Sequence, residues 1–146
     1  MSIIIEIGST ADIVALSKLI PEFEQATTFE QLESRLAGVV SLILVAKCQG
    51  ALIGYKVGYQ FTEDTFYSWL GGVIPEHRKH GVATQLLNYQ EKWVWNAGYK
   101  QIKVKSMDRF PSMLKMLTSN GYEIVGLDKS VCGSEDKIVF LKRLVV

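Results

Sequence analysis

The stretch that decides the fold is VIPEHRKHGVATQLL, residues 73–87. It reads as the end of a strand, a short turn and the start of a helix. Apolar positions at Val82, Leu86, Tyr89, Trp93 and Ala97 recur at spacings of three and four, which predicts one long helix over about 77–97, closed by Gly98. That reading sets Arg78, Lys79 and His80 in the first helical turn. Helix N-termini are already electropositive, because their first amides lack intrahelical partners, and each cation there costs roughly 0.3–1 kcal/mol. A bound anion reverses that cost. Strand, turn and helix N-terminus together form an anion site, and Gly81 lets a phosphate approach without meeting a Cβ.

Upstream, Ile3–Ile7 is rich in β-branched residues and reads as a strand. Ser9 or Thr10 then caps a helix with Ile13, Leu16 and Ile20 on one face, ended by Pro21. Thr27 and Glu30 have capping-box spacing, ahead of a helix with Phe29, Leu32 and Leu36 on one stripe, stopping at Gly38. Residues 39–47 and 51–60 read as strands joined at Gln49-Gly50, and 65–74 as a third. Downstream come a strand (QIKVKS), a helix opening at Pro111 and ending at Asn120-Gly121, and two strands (YEIVG and KIVFLKRLV). The order β-α-α-β-β-β-α-β-α-β-β predicts an α/β (α+β mixed) domain over 1–146. Its mixed, mostly antiparallel sheet of six to seven strands carries four helices on both faces.

The whole chain narrows the class. It has 146 residues, 48% hydrophobic and 21% charged, with formal net charge +1. That is ordinary for a single globular domain and gives no global pull toward nucleic acid or anionic membrane. Cys48 and Cys132 lack metal-type spacing and read as reduced thiols of a cytoplasmic protein. The apolar run VVSLILVA is too short to cross a bilayer as a helix. His77 and His80 are spaced H-x-x-H without an evident third ligand, so no metal is expected.

The quoted stretch matches neither a P-loop nor a dinucleotide fingerprint. Arg78-Lys79-His80-Gly81-Val82-Ala83 resembles the acetyl-CoA motif [RQ]-x-x-G-x-[GA] of the GCN5-related N-acetyltransferase (GNAT) family, and Val73-Ile74-Pro75-Glu76 resembles that family's lead-in. Nearly the whole chain shares the resemblance, down to Asn120-Gly121-Tyr122, where the family usually has Gly-Phe. It implies an acetyl-CoA-dependent N-acetyltransferase acting on a primary amine of a small molecule or protein, by direct attack on the thioester. The strand before the motif would splay from its parallel neighbour and admit the pantetheine arm. Gly71-Gly72 would mark the bulge, and the amide near Val73 would stabilise the oxyanion. The expected cofactor-binding residues are Gly71, Gly72, Val73, Arg78, Lys79, His80, Gly81, Val82 and Ala83.

The family's usual acid and base are not at their aligned positions. The tyrosine four residues before the late glycine is Leu117 here, a nearby asparagine is Phe110, and the stretch Tyr67-Ser68-Trp69-Leu70 has no carboxylate. Those losses support an alternative, an acyl-CoA-binding sensor without turnover. For the enzyme reading, Glu22 is the candidate catalytic residue, and Glu22, Phe23 and Glu24 are the expected acceptor wall, with an ammonium held by a carboxylate and a carbon chain packed on the ring. Ser68 is a candidate proton relay, Arg109 a candidate partner for a phosphate or an acidic substrate, and Trp95 a surface residue suited to a homodimer contact.

Overall fold

The computed structural model describes residues 2–23, 26–107, 110–129 and 136–144. In chain order the elements are β1 (Ile3–Ile7), α1 (Thr10–Ser17), α2 (Phe29–Leu36), β2 (Ser41–Cys48), β3 (Ala51–Gln60) and β4 (Thr65–Val73). A 3-10 turn (Pro75–His77) leads into α3 (Val82–Asn96), followed by β5 (Gln101–Met107), α4 (Pro111–Ser119), β6 (Glu123–Asp128) and β7 (Lys137–Arg143). The strands form one seven-stranded sheet in the order β1-β2-β3-β4-β5-β7-β6. Every pairing is antiparallel except that of β4 with β5.

Local chemistry explains most boundaries. Ser9 and Asp12 form a capping box at α1. At α2 the box is Thr28 with Gln31, one residue beyond the Thr27 and Glu30 that spacing suggests. Thr27 instead gives its amide to the Ser17 hydroxyl, 3.0 Å away, which ties the loop between the helices to the end of α1. Gln49 (φ 52) and Gly50 (φ 82) form the turn of the β2–β3 hairpin, where two left-handed residues match strand twist.

Helices cover both faces of the sheet. One core joins Ile13 and Leu16 of α1 and Leu32 of α2 to Val45, Tyr55 and Val57. The other joins Val82, Leu86, Leu87 and Val94 of α3 and Leu117 of α4 to Leu44, Phe66, Ile102 and Phe140. Full burial of such side chains contributes roughly 1.5–3 kcal/mol each. Strand β3 lies between both cores, whereas β6 is an exposed sheet edge.

The long helix departs from expectation. It begins at Val82, and its buried residues are Val82, Leu86, Leu87, Gln90 and Val94. Tyr89 is 39% exposed and Ala97 is exposed, because beyond Leu86 the buried stripe runs through Leu87, Gln90 and Val94. Phe29 is likewise exposed on α2, while Trp95 is at the surface as expected. Cys48 is a buried free thiol, and Cys132 lies outside the described residues. Among the described residues, no helix is long and apolar enough to cross a membrane.

Candidate active site

The site begins where β4 leaves β5. The two strands pair only from Thr65–Gln101 to Ser68–Val104, yet β4 continues to Val73 and β5 to Met107. Beyond Ser68, therefore, β4 has a sheet partner on the β3 side alone. The backbone groups of residues 69–73 that face away from β3 are free of strand pairing and open toward a slot between diverging strands.

Where the β4–β5 pairing ends, the β3–β4 pairing is irregular at Trp69. Val57 pairs with Leu70 and Gly58 with Ser68, so Trp69 is the extra residue of a β-bulge. Gly71 and Gly72, where the bulge was expected, are paired regularly with Lys56 and Tyr55. Gly72 is small for another reason. A Cβ there would stand 2.4 Å from Ile20 Cδ1 and 3.4 Å from Phe23 and Tyr55, so its absence seats the loop after α1 against β4.

At the far end of β4 the chain turns into the motif. Arg78, Lys79 and His80 precede α3 and are not part of its first turn. Lys79 (φ 65) and Gly81 (φ 80) are both left-handed, which makes a tight loop directly before the helix. Gly81 is the N-cap of α3, and no side chain caps that end, whereas α1 and α2 both carry capping boxes. The first amides of α3, on Val82, Ala83 and Thr84, thus keep the unsatisfied donors and positive dipole end that suit a phosphate. Space around Gly81 is open, with no heavy atom within 4 Å of a Cβ built there.

Arg78 turns back across the mouth of the slot. Its Nε donates to the Val73 carbonyl at 3.1 Å, and its two terminal nitrogens grip the Glu22 carboxylate at 2.5 and 2.8 Å. Glu22 is thereby held as an anion, with its pKa lowered chiefly by the hydrogen bond from Arg78. Phe23 lies beside Gly72. Glu24 and Arg109 lie outside the described residues.

Sequence reading missed two further groups. On the α1/α2 face, the Arg35 guanidinium sits 4.7 Å above the Trp69 ring and donates to the Tyr59 hydroxyl at 3.0 Å. Tyr59 meets both Tyr67 and Trp69 edge-on, at 5.4 and 5.9 Å, so aromatic rings and one cation flank the bulge. Burial pushes the Tyr67 phenol up to about 12. The alternating aromatics of YQFTEDTFYSW were the available signal.

The second group is buried under α3. Lys56 of β3 is 5% exposed, and burial lowers its pKa to about 8, partly opposed by Glu91. Glu91 in turn accepts from the Tyr122 hydroxyl at 2.8 Å and from Lys142 Nζ at 2.9 Å. Gln90 is fully buried, and neither atom of its amide has a hydrogen-bond partner among the described residues. A lysine between glycines in an apolar strand, GYKVG, was the visible hint. Ser68 is buried on β4, between Gly58 of β3 and Val104 of β5. Leu117, at the position of the family tyrosine, is a fully buried core residue.

Among the described residues no group of three His, Cys, Asp or Glu could hold a metal ion. A surface cavity of about 430 Å³ opens at the opposite end of β4, beside Thr65, Gln101 and Lys103, away from the slot.

These features coincide with a family signature. A family model described as the acetyltransferase (GNAT) family matches residues 12–122. Among solved structures, an IAA acetyltransferase from Bacillus cereus superimposes with a TM-score of 0.79 at 20% identity, covering 98% of this chain and 100% of that one. The ribosomal-protein-S18-alanine N-acetyltransferase from Escherichia coli gives a TM-score of 0.83 at 12% identity, covering 99% and 96%. A GNAT family acetyltransferase from Elizabethkingia anophelis with acetyl-CoA bound gives 0.76 at 19% identity, covering 97% and 98%. The mixed sheet with helices on both faces is the fold these proteins share.

Proposed function

Because this chain belongs to the GNAT acetyltransferase family, we propose that it is an acetyl-CoA-dependent N-acetyltransferase acting on a primary amine of a small molecule or protein. The observation that carries this reading is the interrupted β4–β5 pairing beside an uncapped helix N-terminus. Together they offer extended backbone for an amide-bearing arm and free amides for a pyrophosphate.

In this reading the pyrophosphate rests on the loop 78–81 and the first amides of α3, with Lys79 and His80 adding positive charge. The pantetheine arm runs into the slot along residues 69–73. Acetyl-CoA supplies the acetyl thioester when bound. The amide near Val73 remains our candidate oxyanion donor, together with the backbone freed at the Trp69 bulge. The acceptor approaches over the loop carrying Glu22 and Phe23 and the aromatic face around Trp69. Glu22 is already ionised and bound to Arg78, which makes it a weak base, so its part is to anchor the loop and attract an ammonium group. Direct attack by the neutral amine relies on positioning and oxyanion stabilisation.

The sensor alternative rests on the burial of Leu117 where a catalytic tyrosine is usual. Calorimetry with acetyl-CoA and release of free thiol across an amine panel separate the two. Binding with amine-dependent thiol release supports the enzyme, binding without release supports the sensor, and no binding overturns both.

A further inference from the structure

We propose that Lys56 is the proton donor to the departing thiolate, standing in for the tyrosine that Leu117 replaces. The inference rests on the acetyltransferase reading above.

Position comes first. Lys56 pairs with Gly71, which belongs to the part of β4 that borders the slot. Its side chain lies across Gly71, with Nζ 3.7 Å and Cγ 3.8 Å from where a Cβ would stand. Gly71 has no side chain, so the amine lies directly against the backbone of the β4 segment that borders the slot. The face is that of α3, since the neighbouring same-face glycine Gly54 approaches Val82 and Leu86, and Gly58 approaches Gln90. Leu117 packs in the core on that same face. The missing acid and the candidate substitute therefore sit on one side of the sheet.

Chemistry comes second. The Lys56 side chain is buried, and its amine makes no hydrogen bond or ion pair with any described residue. A buried, unpaired cation weakens a fold, and nothing in the packing requires one here. The charged group acting on it is Glu91 of α3, whose oxygens are already taken by Tyr122 and by Lys142 of β7. Beside it β2 presents Leu44 and β4 presents Gly71, and two residues along the same face Gly58 approaches the neutral Gln90 amide of α3. An ammonium whose pKa is lowered to about 8 remains mostly protonated at neutral pH. It also closely matches a thiol of pKa about 8.5, the condition under which proton transfer helps most.

The step balances. The acceptor nitrogen attacks the thioester carbon and a C–N bond forms. The C–S bond breaks with its electron pair going to sulfur, and Lys56 Nζ gives that sulfur a proton. The acceptor nitrogen releases its extra proton to water, and neutral Lys56 takes one back from water. The products are an amide and the free CoA thiol.

The test compares wild type, Lys56→Met and Lys56→Arg, using acetyl-CoA and the best amine of the panel. We expect Lys56→Met to lose about 10²–10³-fold in kcat, with the acetyl-CoA Kd changed less than threefold. The basic limb of the wild-type kcat–pH profile, near pH 8, should vanish in that variant, and Lys56→Arg should not rescue it, since guanidinium does not give up its proton in this range. A folded Lys56→Met that keeps kcat within threefold overturns the assignment. A wild-type profile with no basic limb between pH 7 and 9.5 overturns it without recourse to any variant. A wild type that binds no acetyl-CoA overturns the acetyltransferase reading itself, and this one with it.

Discussion

Arg78 joins the end of β4 to the loop after α1, with Nε on the Val73 carbonyl and both terminal nitrogens on the Glu22 carboxylate. One side chain thus connects the strand that borders the slot with the loop after α1, the proposed acceptor wall. The pair is 36% and 42% exposed, so its direct contribution to stability is only about 0–1 kcal/mol. Its effect should be positional. Arg78→Ala is expected to raise the acceptor KM at least fivefold while weakening acetyl-CoA binding by less than about 1 kcal/mol, because Glu22 already neutralises the arginine. Glu22→Gln should leave acetyl-CoA affinity equal or better at low salt. Kinetics and calorimetry on both variants check this, and a tenfold loss of cofactor affinity in Glu22→Gln would contradict it.

Gly81 tests the anion site. Its φ of 80 is unfavourable to any residue with a Cβ, yet a Cβ there meets nothing in the protein. Gly81→Ala should therefore cost about 1–2 kcal/mol in chemical denaturation, the strain of a left-handed residue. Gly81→Val should in addition reduce acetyl-CoA affinity more than tenfold. Equal affinities in wild type and Gly81→Val would move the phosphate elsewhere.

Tyr122 tests whether a tyrosine has taken over the acid's part. Its hydroxyl donates to Glu91, which also holds Lys142. That is a structural bond to a charged group, worth about 1.5–3 kcal/mol. Tyr122→Phe should lower stability on that scale and reduce kcat less than tenfold. Tyr67→Phe, on the opposite face, should likewise stay within tenfold. A thousandfold fall in kcat at either position, in a folded variant, would make that residue the acid.

Stability should rise with pH between about 8 and 10. Lys56 has a folded pKa lowered to about 8 by burial, below its ordinary value of 10.5. Above pH 8 the native state loses this proton while the unfolded chain still holds it, so deprotonation favours folding across that window. Tyr55, Tyr67 and Tyr122 have phenols raised by burial, which favours unfolding once the unfolded phenols ionise above pH 10. Denaturant melts from pH 7 to 10 should show the rise in wild type and a much smaller one in Lys56→Met, left by Lys103, whose pKa burial also lowers. Lys56→Met should also be the more stable at pH 7, by up to roughly 3 kcal/mol. A rise that survives the substitution undiminished would assign it to another group.

Local rules made much of this protein legible in one dimension. Periodicity located the strands and helices, because apolar faces must recur at two or at three and four residues to reach a core. The loop 78–81 was recognisable because a glycine and cations before an amphipathic run have few other uses. The helix start was misplaced because the 3-10 turn at Pro75–His77 and the left-handed Lys79 leave no mark on apolar spacing. The register of two strands put the bulge at Trp69 and not at Gly71-Gly72, and register is a relation between segments that neither contains alone. Folding also set Glu22 against Arg78, 56 residues away, turning two solvated charges into one brace. Lys56 shows the same limit most sharply. Its identity was plain in the chain, but its burial, its depressed pKa and its place over Gly71 arise only when β3, β4 and α3 close around it. Sequence determines which groups are present and which surfaces must be buried. Tertiary structure decides which groups meet, because charge, solvation and reach depend on distances in space that spacing along the chain does not contain.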